Sequence, residues 1–122
     1  MSTPWKHAEN SAAKFGGEPS DYIIVHNWFD ETKQYTGDWT HRALRHHAAG
    51  IEWCIERWGH VLYRVSDGKT VPMKLVAEQH VMEDCCGRIP TIQDWLSVLA
   101  KNPPQWMLRV QKTTTETMEV VQ

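Results

Sequence analysis

The clearest hydrophobic pattern in the chain runs from Thr40 to Gly59, THRALRHHAAGIEWCIERWG. At about 100° per residue, its apolar side chains fall on one face of a helix and a polar stripe falls on the other. The apolar face contains Leu44, Ile51, Cys54, Ile55 and Trp58. Gly59 follows the last of these, and glycine is common just after the end of a helix. The pattern predicts one long helix over this stretch.

Two more helices are predicted before it. Pro4 is typical of the first turn of a helix, and Gly16-Gly17 ends the segment that it opens. Pro19-Ser20 is a start signal for the next helix. The segment from Asp21 to Asp30 that follows is so rich in apolar residues that we expect it to be buried on most sides. A helix is favoured there, and a strand over Tyr22 to Val25 is the alternative.

Apolar and polar residues alternate in two runs after the long helix, from His60 to Val65 and from Thr70 to Val76. The turn residues Ser66 to Lys69 separate the runs, so the pattern predicts a β-hairpin. Helices are predicted to follow over Ala77 to Cys86 and from Thr91 to Ala100.

These elements predict a mainly α fold (α+β), with about five helices around one long central helix and a small inserted β-hairpin. The 122 residues are expected to form a single His-rich helical domain, because no linker or repeat divides them. The polar, threonine-rich end, about residues 113–122, fits either an added strand or a loose tail.

Charge and cysteine usage narrow the class of protein. The net charge of -2 and the pI of about 6.4 argue against a nucleic-acid partner, which would require a basic face. The sequence has neither a signal peptide nor a long apolar run, so a cytoplasmic location without a membrane segment is expected. Cys54, Cys85 and Cys86 form no Cys-x-x-Cys pair, which indicates free thiols rather than disulfides or a thiolate zinc site.

The histidines of the predicted long helix fall in three different positions. His47 lies within the apolar face and is interpreted as a structural histidine, whereas His41 lies on the polar side. His46 lies at the edge of the apolar face, one turn before Gly50, where the absence of a side chain lets another segment approach.

Histidine–carboxylate pairs on two other segments point to metal chemistry. His26 and Asp30 are four residues apart, as are His80 and Asp84, so each pair shares a helical face. Neutral imidazole and carboxylate are the usual ligands of zinc, iron and manganese, and a carboxylate also orients a metal-bound imidazole. Together with His41 and His46, the pairs predict a divalent-metal site. No HExxH motif or glycine-rich phosphate loop identifies a reaction.

The ordered series AENSAAKFGG, DYIIVHNWFDETK, HRALRHHAAG and SDGKTVPMKLVAEQHVMEDCCGRIPTIQDWL resembles a family of small bacterial and bacteriophage proteins that is classified only as a domain of unknown function. The resemblance covers Trp5 to Leu96. It implies histidines at the positions of His7, His26, His41, His46 and His80 and acidic residues at Asp30, Glu78 and Asp84, and it omits His47. The chain departs from the pattern at Thr40, where an arginine is usual, and at Cys85-Cys86-Gly87.

The sequence therefore predicts a small divalent-metal-binding protein and leaves open whether it is a metal-dependent hydrolase. The expected ligands are His26, His46 and His80, with His41 or Asp30 as a fourth, while Asp84 and Glu78 would orient ligands or act as a general base. Zinc is favoured, with manganese or iron as alternatives. A different reading is a non-catalytic bacteriophage or prokaryotic module that binds an unidentified protein, for example as an inhibitor of host defence, with the histidines or a metal purely structural.

Overall fold

The computed structural model describes residues 2–108 as a mainly helical fold with one small antiparallel sheet. Its elements are α1 (Pro4–Phe15), α2 (Ile23–Asp30), α3 (Lys33–Thr36), α4 (Arg42–Arg45), α5 (Ala48–Trp58), β1 (Val61–Tyr63), β2 (Thr70–Pro72), α6 (Met73–Asp84) and α7 (Ile92–Leu99). Short 3₁₀ turns at Pro19–Asp21 and Trp39–His41 precede α2 and α4. The predicted fold class is confirmed. The threonine-rich end, about residues 113–122, lies outside the described residues.

As predicted, α1 starts at Pro4 and ends before Gly16, and α7 starts after Thr91. The cap at Thr3 was not predicted. Thr3 caps α1 by accepting a hydrogen bond from the Lys6 backbone N–H, and Gly16 ends the helix with a φ of 97°. Thr91 caps α7 in a capping box with Asp94. The segment before Asp30 is helical, so helix rather than strand is confirmed for α2.

The predicted long helix from Thr40 to Gly59 is not continuous. α4 ends at Arg45, and α5 starts only at Ala48, because His46 and His47 leave the helical conformation with ψ angles of 66° and 176°. His47 caps α5: its Nδ1 accepts a hydrogen bond from the Gly50 N–H, and its Nε2 donates to the Leu44 carbonyl. This role agrees with the interpretation of His47 as structural, although a helix cap rather than an apolar face explains it.

Gly50 makes this break possible. A Cβ at Gly50 would lie 1.8 Å from the Arg45 carbonyl oxygen, a distance that no side chain can occupy. The segment that approaches Gly50 is therefore the end of α4 itself. Two bonds from the α6–α7 region hold the break in place: Ala48 donates its N–H to the Pro90 carbonyl, and Trp95 donates its indole N–H to the His46 carbonyl.

The hairpin is shorter than predicted. Val61 pairs with Pro72, and Tyr63 pairs with Thr70. The second strand ends at Pro72 instead of continuing to Val76, because proline cannot donate to the ladder and Met73 already begins α6.

Two side chains of the hairpin region attach it to the turn between α1 and α2. Arg64 donates to the Phe15 carbonyl and passes so close to Gly16 that a Cβ there would lie 2.7 Å from its guanidinium. Asp21 accepts hydrogen bonds from the backbone N–H and the hydroxyl of Ser66. These contacts fix the start of α2 relative to the hairpin.

The buried apolar side chains come from α1, α2, α5, both strands and α6. α1 packs on α2 and α6, and α5 packs on α6. Ile51 and Cys54 of α5 are buried in the core. The longest helices, α1 and α6, have 12 residues each, and within residues 2–108 no helix has the length and apolar character needed to cross a bilayer. The core leaves a polar centre where α1, α2 and α6 meet.

Candidate metal centre

Six ionisable side chains from separate segments converge in this interior, and we call them the His–Asp cluster. They are His7 of α1, Asp30 at the end of α2, His41 in the 3₁₀ turn, His46 at the helix break, and His80 and Asp84 of α6. The four histidines are 0% exposed, and the side chains of Asp30 and Asp84 are 14% and 2% exposed. The structure thus brings together five of the predicted site residues and adds His7.

Four donor atoms at the centre of the cluster are evenly spaced. Asp30 Oδ1 lies 3.2 Å from His46 Nε2 and 3.3 Å from His80 Nε2. Asp84 Oδ2 lies 3.1 Å and 3.3 Å from the same two nitrogens, which are themselves 3.1 Å apart. Ligand atoms at about 2.0–2.1 Å from a tetrahedral ion lie roughly 3.3–3.4 Å from one another. Five measured separations therefore match the size of a metal coordination sphere.

A chain of hydrogen bonds behind His80 fixes its tautomer. The Gln79 amide donates to the His7 carbonyl, so its Oε1 is the acceptor that faces the Ser11 hydroxyl at 2.5 Å. Ser11 has a single proton, which it gives to carbonyl acceptors, so it accepts from His26 Nε2 at 2.7 Å. His26 Nδ1 must then accept from His80 Nδ1 at 2.9 Å. His80 consequently directs the lone pair of Nε2 into the cluster.

His41 and His7 are oriented in the same way by other acceptors. His41 donates from Nδ1 to the Asp38 carbonyl at 2.8 Å, so in the neutral ring the lone pair is on Nε2, which lies 3.3 Å from Asp30 Oδ1. His7 donates from Nδ1 to Glu83 Oε1 at 2.6 Å. Its buried Nε2 has no hydrogen-bond partner among the described residues and lies 3.2 Å from Asp84 Oδ1. Metal-ligating histidines are typically held by such a bond from the opposite ring nitrogen.

His46 reaches the cluster because the helix is broken at its position. Its carbonyl is free of the helix ladder and accepts from the Trp95 indole, while its ring projects between Asp30 and Asp84. The ring also packs edge-on against Phe29 at 5.7 Å between centroids. In contrast to the other histidines of the cluster, its buried Nδ1 has no partner within the described residues.

The charges of the cluster shift the pKa values of its members. Burial lowers the pKa of His46 and of His7, but the carboxylates that accept hydrogen bonds from these rings outweigh burial and raise both pKa values above the usual value. Burial alone would raise the pKa of Asp30 and Asp84, yet their histidine neighbours hold both well below the ordinary range. Burial and the nearby His80 lower the pKa of His26 to about 2, so His26 is neutral.

The cluster therefore has a shortage of donors. When the rings are neutral, Nε2 of His7, His41 and His80 and the oxygens of Asp30 and Asp84 are all acceptors, and they repel one another at these distances. A proton on a ring such as His7 or His46, whose pKa values are raised, or a cation between the groups relieves that repulsion. Four imidazole nitrogens and two carboxylates suit zinc, iron or manganese. The thiols do not add to this set, since burial raises the pKa of Cys85 to about 11 and of Cys54 to about 12.

Two predicted site residues contribute no atom to the centre of the cluster, although His26, together with His7 and His80, forms one of the groups whose donor atoms lie within 4.8 Å of one another. His26 lies behind His80, and both of its ring nitrogens are used by Ser11 and His80. Glu78 lies about 200° around α6 from His80 and makes no side-chain hydrogen bond within the described part of the chain. His7 is the residue of the cluster that the spacing of histidines and aspartates in the sequence did not reveal, and only the family resemblance pointed to it.

Two cavities reach the cluster from different sides. A cavity of about 500 Å³ borders Asp30 and His41 and has Thr3 and Lys33 on its wall. A second cavity of about 480 Å³ borders Asp84 and has Arg88 on its wall. The side chain of Asp30 is 14% exposed and that of Asp84 2%, so the cavity beside Asp30 and His41 is the more open route to a carboxylate of the cluster.

Fold and site together define a small, mainly helical protein with a buried histidine–carboxylate cluster that can hold a metal ion. A sequence profile described as "Domain of unknown function (DUF6915)" matches residues 2–107, and the chain belongs to that family. No curated protein and no solved structure gives a significant match.

Proposed function

We propose that the protein binds a divalent transition-metal ion in the His–Asp cluster, with zinc as the best-suited ion, and that it is a metal-dependent hydrolase. One observation carries the proposal. His7, His41 and His80 each donate from Nδ1 to a protein acceptor and leave Nε2 as a lone pair facing Asp30 or Asp84. With neutral rings this arrangement pairs acceptors with acceptors, and a metal ion between them would satisfy all of them at once.

The ligand set and its spacing favour zinc over calcium or magnesium. Calcium and magnesium prefer oxygen ligands, and this centre is rich in imidazole nitrogen. The separations of 3.1–3.3 Å among Asp30, His46, His80 and Asp84 match a small tetrahedral ion. Manganese and iron accept the same ligands and remain alternatives. Asp84 is a ligand in this proposal rather than a general base.

A bound ion of this kind activates water and polarises a phosphoryl or carbonyl oxygen. The surrounding residues prepare the site for that chemistry. His26, Asp38 and Glu83 fix the rings of His80, His41 and His7 before any ion binds. Phe29 stacks on His80 at 4.7 Å and keeps water from the rear of the site. The cavity beside Asp30 and His41 supplies the entry for a substrate, and Lys33 on its wall favours an anionic one.

Elemental analysis tests the metal-binding step. Protein purified without a histidine tag, stripped with a chelator and reloaded with Zn²⁺ is expected to retain the metal after gel filtration. His46→Ala is expected to lose most of it, whereas His60→Ala, which changes an exposed histidine outside the cluster, retains it. Retention of less than a tenth of an equivalent by the reloaded wild-type protein would refute the proposal.

A separate measurement distinguishes hydrolysis from a structural role of the metal. The metal-loaded protein is assayed with chromogenic phosphoesters and amides, and its Tm is compared with that of the stripped protein. Hydrolysis that disappears in His46→Ala while the variant keeps its helical circular-dichroism spectrum supports the enzyme. If stripping the metal lowers the Tm strongly and no substrate is hydrolysed, the metal has a structural role and the protein is not a hydrolase.

A further inference from the structure

We propose that the His–Asp cluster holds two divalent ions, with the Asp30 carboxylate between them, and that the pair binds a phosphate group. This inference rests on the proposed metal-binding function. It goes beyond that function in stoichiometry, in the division of the ligands, and in the class of ligand that the centre recognises.

Three groups of side chains place their donor atoms within 4.8 Å of one another: His7 with His26 and His80, and two sets that contain Asp30. Because both ring nitrogens of His26 already hydrogen-bond Ser11 and His80, the two sets that share Asp30 are the candidates for ion binding. One atom from each of Asp30, His41 and His46 lies within 4.8 Å of the others. One atom from each of His7, Asp30, His80 and Asp84 forms a second set with the same limit. Each set contains histidine and carboxylate, which is sufficient for a three- or four-ligand site with an open position. Asp30 is the only residue common to both sets, and it has two oxygens with which to contact two ions.

The number of donors also favours two ions. A catalytic zinc ion usually has three protein ligands, whereas six side chains point into this cluster. His41 and His7 approach different carboxylates: His41 Nε2 lies 3.3 Å from Asp30, and His7 Nε2 lies 3.2 Å from Asp84. The Nε2 of His7 is fully buried and has no hydrogen-bond partner among the described residues, so it is available to bind an ion next to Asp84. Ions in two-metal sites lie about 3.5–4 Å apart and share carboxylate ligands.

The cavities follow the same division. The cavity with Lys33 borders Asp30 and His41 of the first set, and the cavity with Arg88 borders Asp84 of the second. The ion held by Asp30, His41 and His46 would therefore have the more open face, because the Asp30 side chain is 14% exposed and the Asp84 side chain only 2%.

The charge balance of such a centre calls for an anion. Asp30 and Asp84 supply two negative charges, and the histidines are neutral when they bind metal. Two divalent ions leave an excess of positive charge, to which Lys33 adds at the cavity wall. A phosphate group has oxygens that can contact both ions, as two-metal phosphatases use them. Phosphoesters are accordingly the expected substrate class.

Manganese loading of the unaltered chain tests the stoichiometry. Stripped protein is titrated with Mn²⁺ and followed by elemental analysis and electron paramagnetic resonance. We expect two Mn²⁺ per chain, with the six-line signal of an isolated ion replaced by an exchange-coupled signal as the second ion binds. Inorganic phosphate is expected to change the coupled signal and to leave the signal of free Mn²⁺ in buffer unchanged.

Variants then assign the two ions. His41→Ala is expected to bind one Mn²⁺ and to show an uncoupled spectrum, while His60→Ala binds two. One ion per chain in the wild-type protein overturns the two-ion proposal and leaves metal binding intact. No bound ion overturns both. A coupled pair that does not respond to phosphate refutes the ligand class alone.

Discussion

The Nδ1 atoms of His26 and His80 lie 2.9 Å apart, and the direction of the hydrogen bond between them is fixed from behind by Ser11. Because Ser11 uses its proton on carbonyl acceptors, His26 donates to Ser11 and must accept from His80. The Nε2 lone pair of His80 is thereby directed at Asp30 and Asp84 before any ion arrives. In the proposed site, His26, which the sequence predicts as a ligand, would orient His80 rather than bind the ion itself.

This relationship predicts a graded effect of His26→Ala. The variant is expected to bind metal with about 10–100-fold lower affinity, because His80 loses the partner that sets its tautomer, yet the number of ions bound should not change. Competition with a chromogenic chelator measures the affinity, and elemental analysis measures the number. His60→Ala serves as the control. If His26→Ala lost a whole ion, His26 would be a direct ligand, as the sequence predicted.

Gly50→Ala is expected to destabilise the protein by about 2 kcal/mol or more, because the new Cβ would meet the Arg45 carbonyl at 1.8 Å and the helix break would have to shift. In an ordinary helix interior the same change would stabilise. Urea unfolding followed by circular dichroism measures the difference. Ala49→Gly, one position earlier in α5, is the matched control and should cost only about 1 kcal/mol. An unchanged or higher midpoint for Gly50→Ala would mean that α4 and α5 form one continuous helix.

The stabilisation by metal should increase with pH. The carboxylates raise the pKa values of His7 and His46. In the metal-free protein, the ion pairs of the two protonated rings therefore stabilise the fold fully below the unfolded pKa of about 6.5. That stabilisation is lost as the pH rises through the pKa values of the folded protein. Metal binding requires both rings to be deprotonated, so the stabilisation of the fold by bound metal increases as the pH rises. The loss of Tm on chelation is therefore expected to be larger at pH 8 than at pH 6. An equal loss at both pH values would show that these histidines are not ligands.

Acid should weaken the contact between α2 and the hairpin. Burial would raise the pKa of Asp21, but bonds from the Glu18 N–H and from Ser66 lower it overall. Its stabilising effect is present above the unfolded pKa of about 3.9 and is lost as the pH falls below it. Asp21→Asn should therefore lower the Tm at pH 7 and reduce the fall in Tm between pH 5 and pH 3.

The exposed carboxylate of Glu52 gives a control for this experiment, because Glu52→Gln changes the net charge by the same amount without touching the hairpin. Parallel Tm–pH curves for wild type and Asp21→Asn would contradict the predicted role of Asp21.

Much of the fold could be read from the sequence because its signals are local. Thr3, Gly16 and Thr91 act on backbone groups within a few residues, so the ends of α1 and α7 follow from residue types alone. The hairpin turn around Gly68 is equally local. The residue types of a metal site were also visible, since histidines four residues from aspartates stand out in a chain without other motifs.

The helix break at His46-His47 could not be read in this way. Every residue from Arg42 to Trp58 is compatible with a helix, and the break is held by bonds from Pro90 and Trp95, more than 40 residues later. Helical arithmetic across the break consequently misplaced the histidines relative to one another. The sequence determined which residues could bind a metal, and the tertiary structure decided their roles. It placed His46 at the centre, His26 behind His80, and His7 opposite Asp84, because a ligand's role depends on which ring nitrogen faces the site, and only long-range hydrogen bonds set that direction.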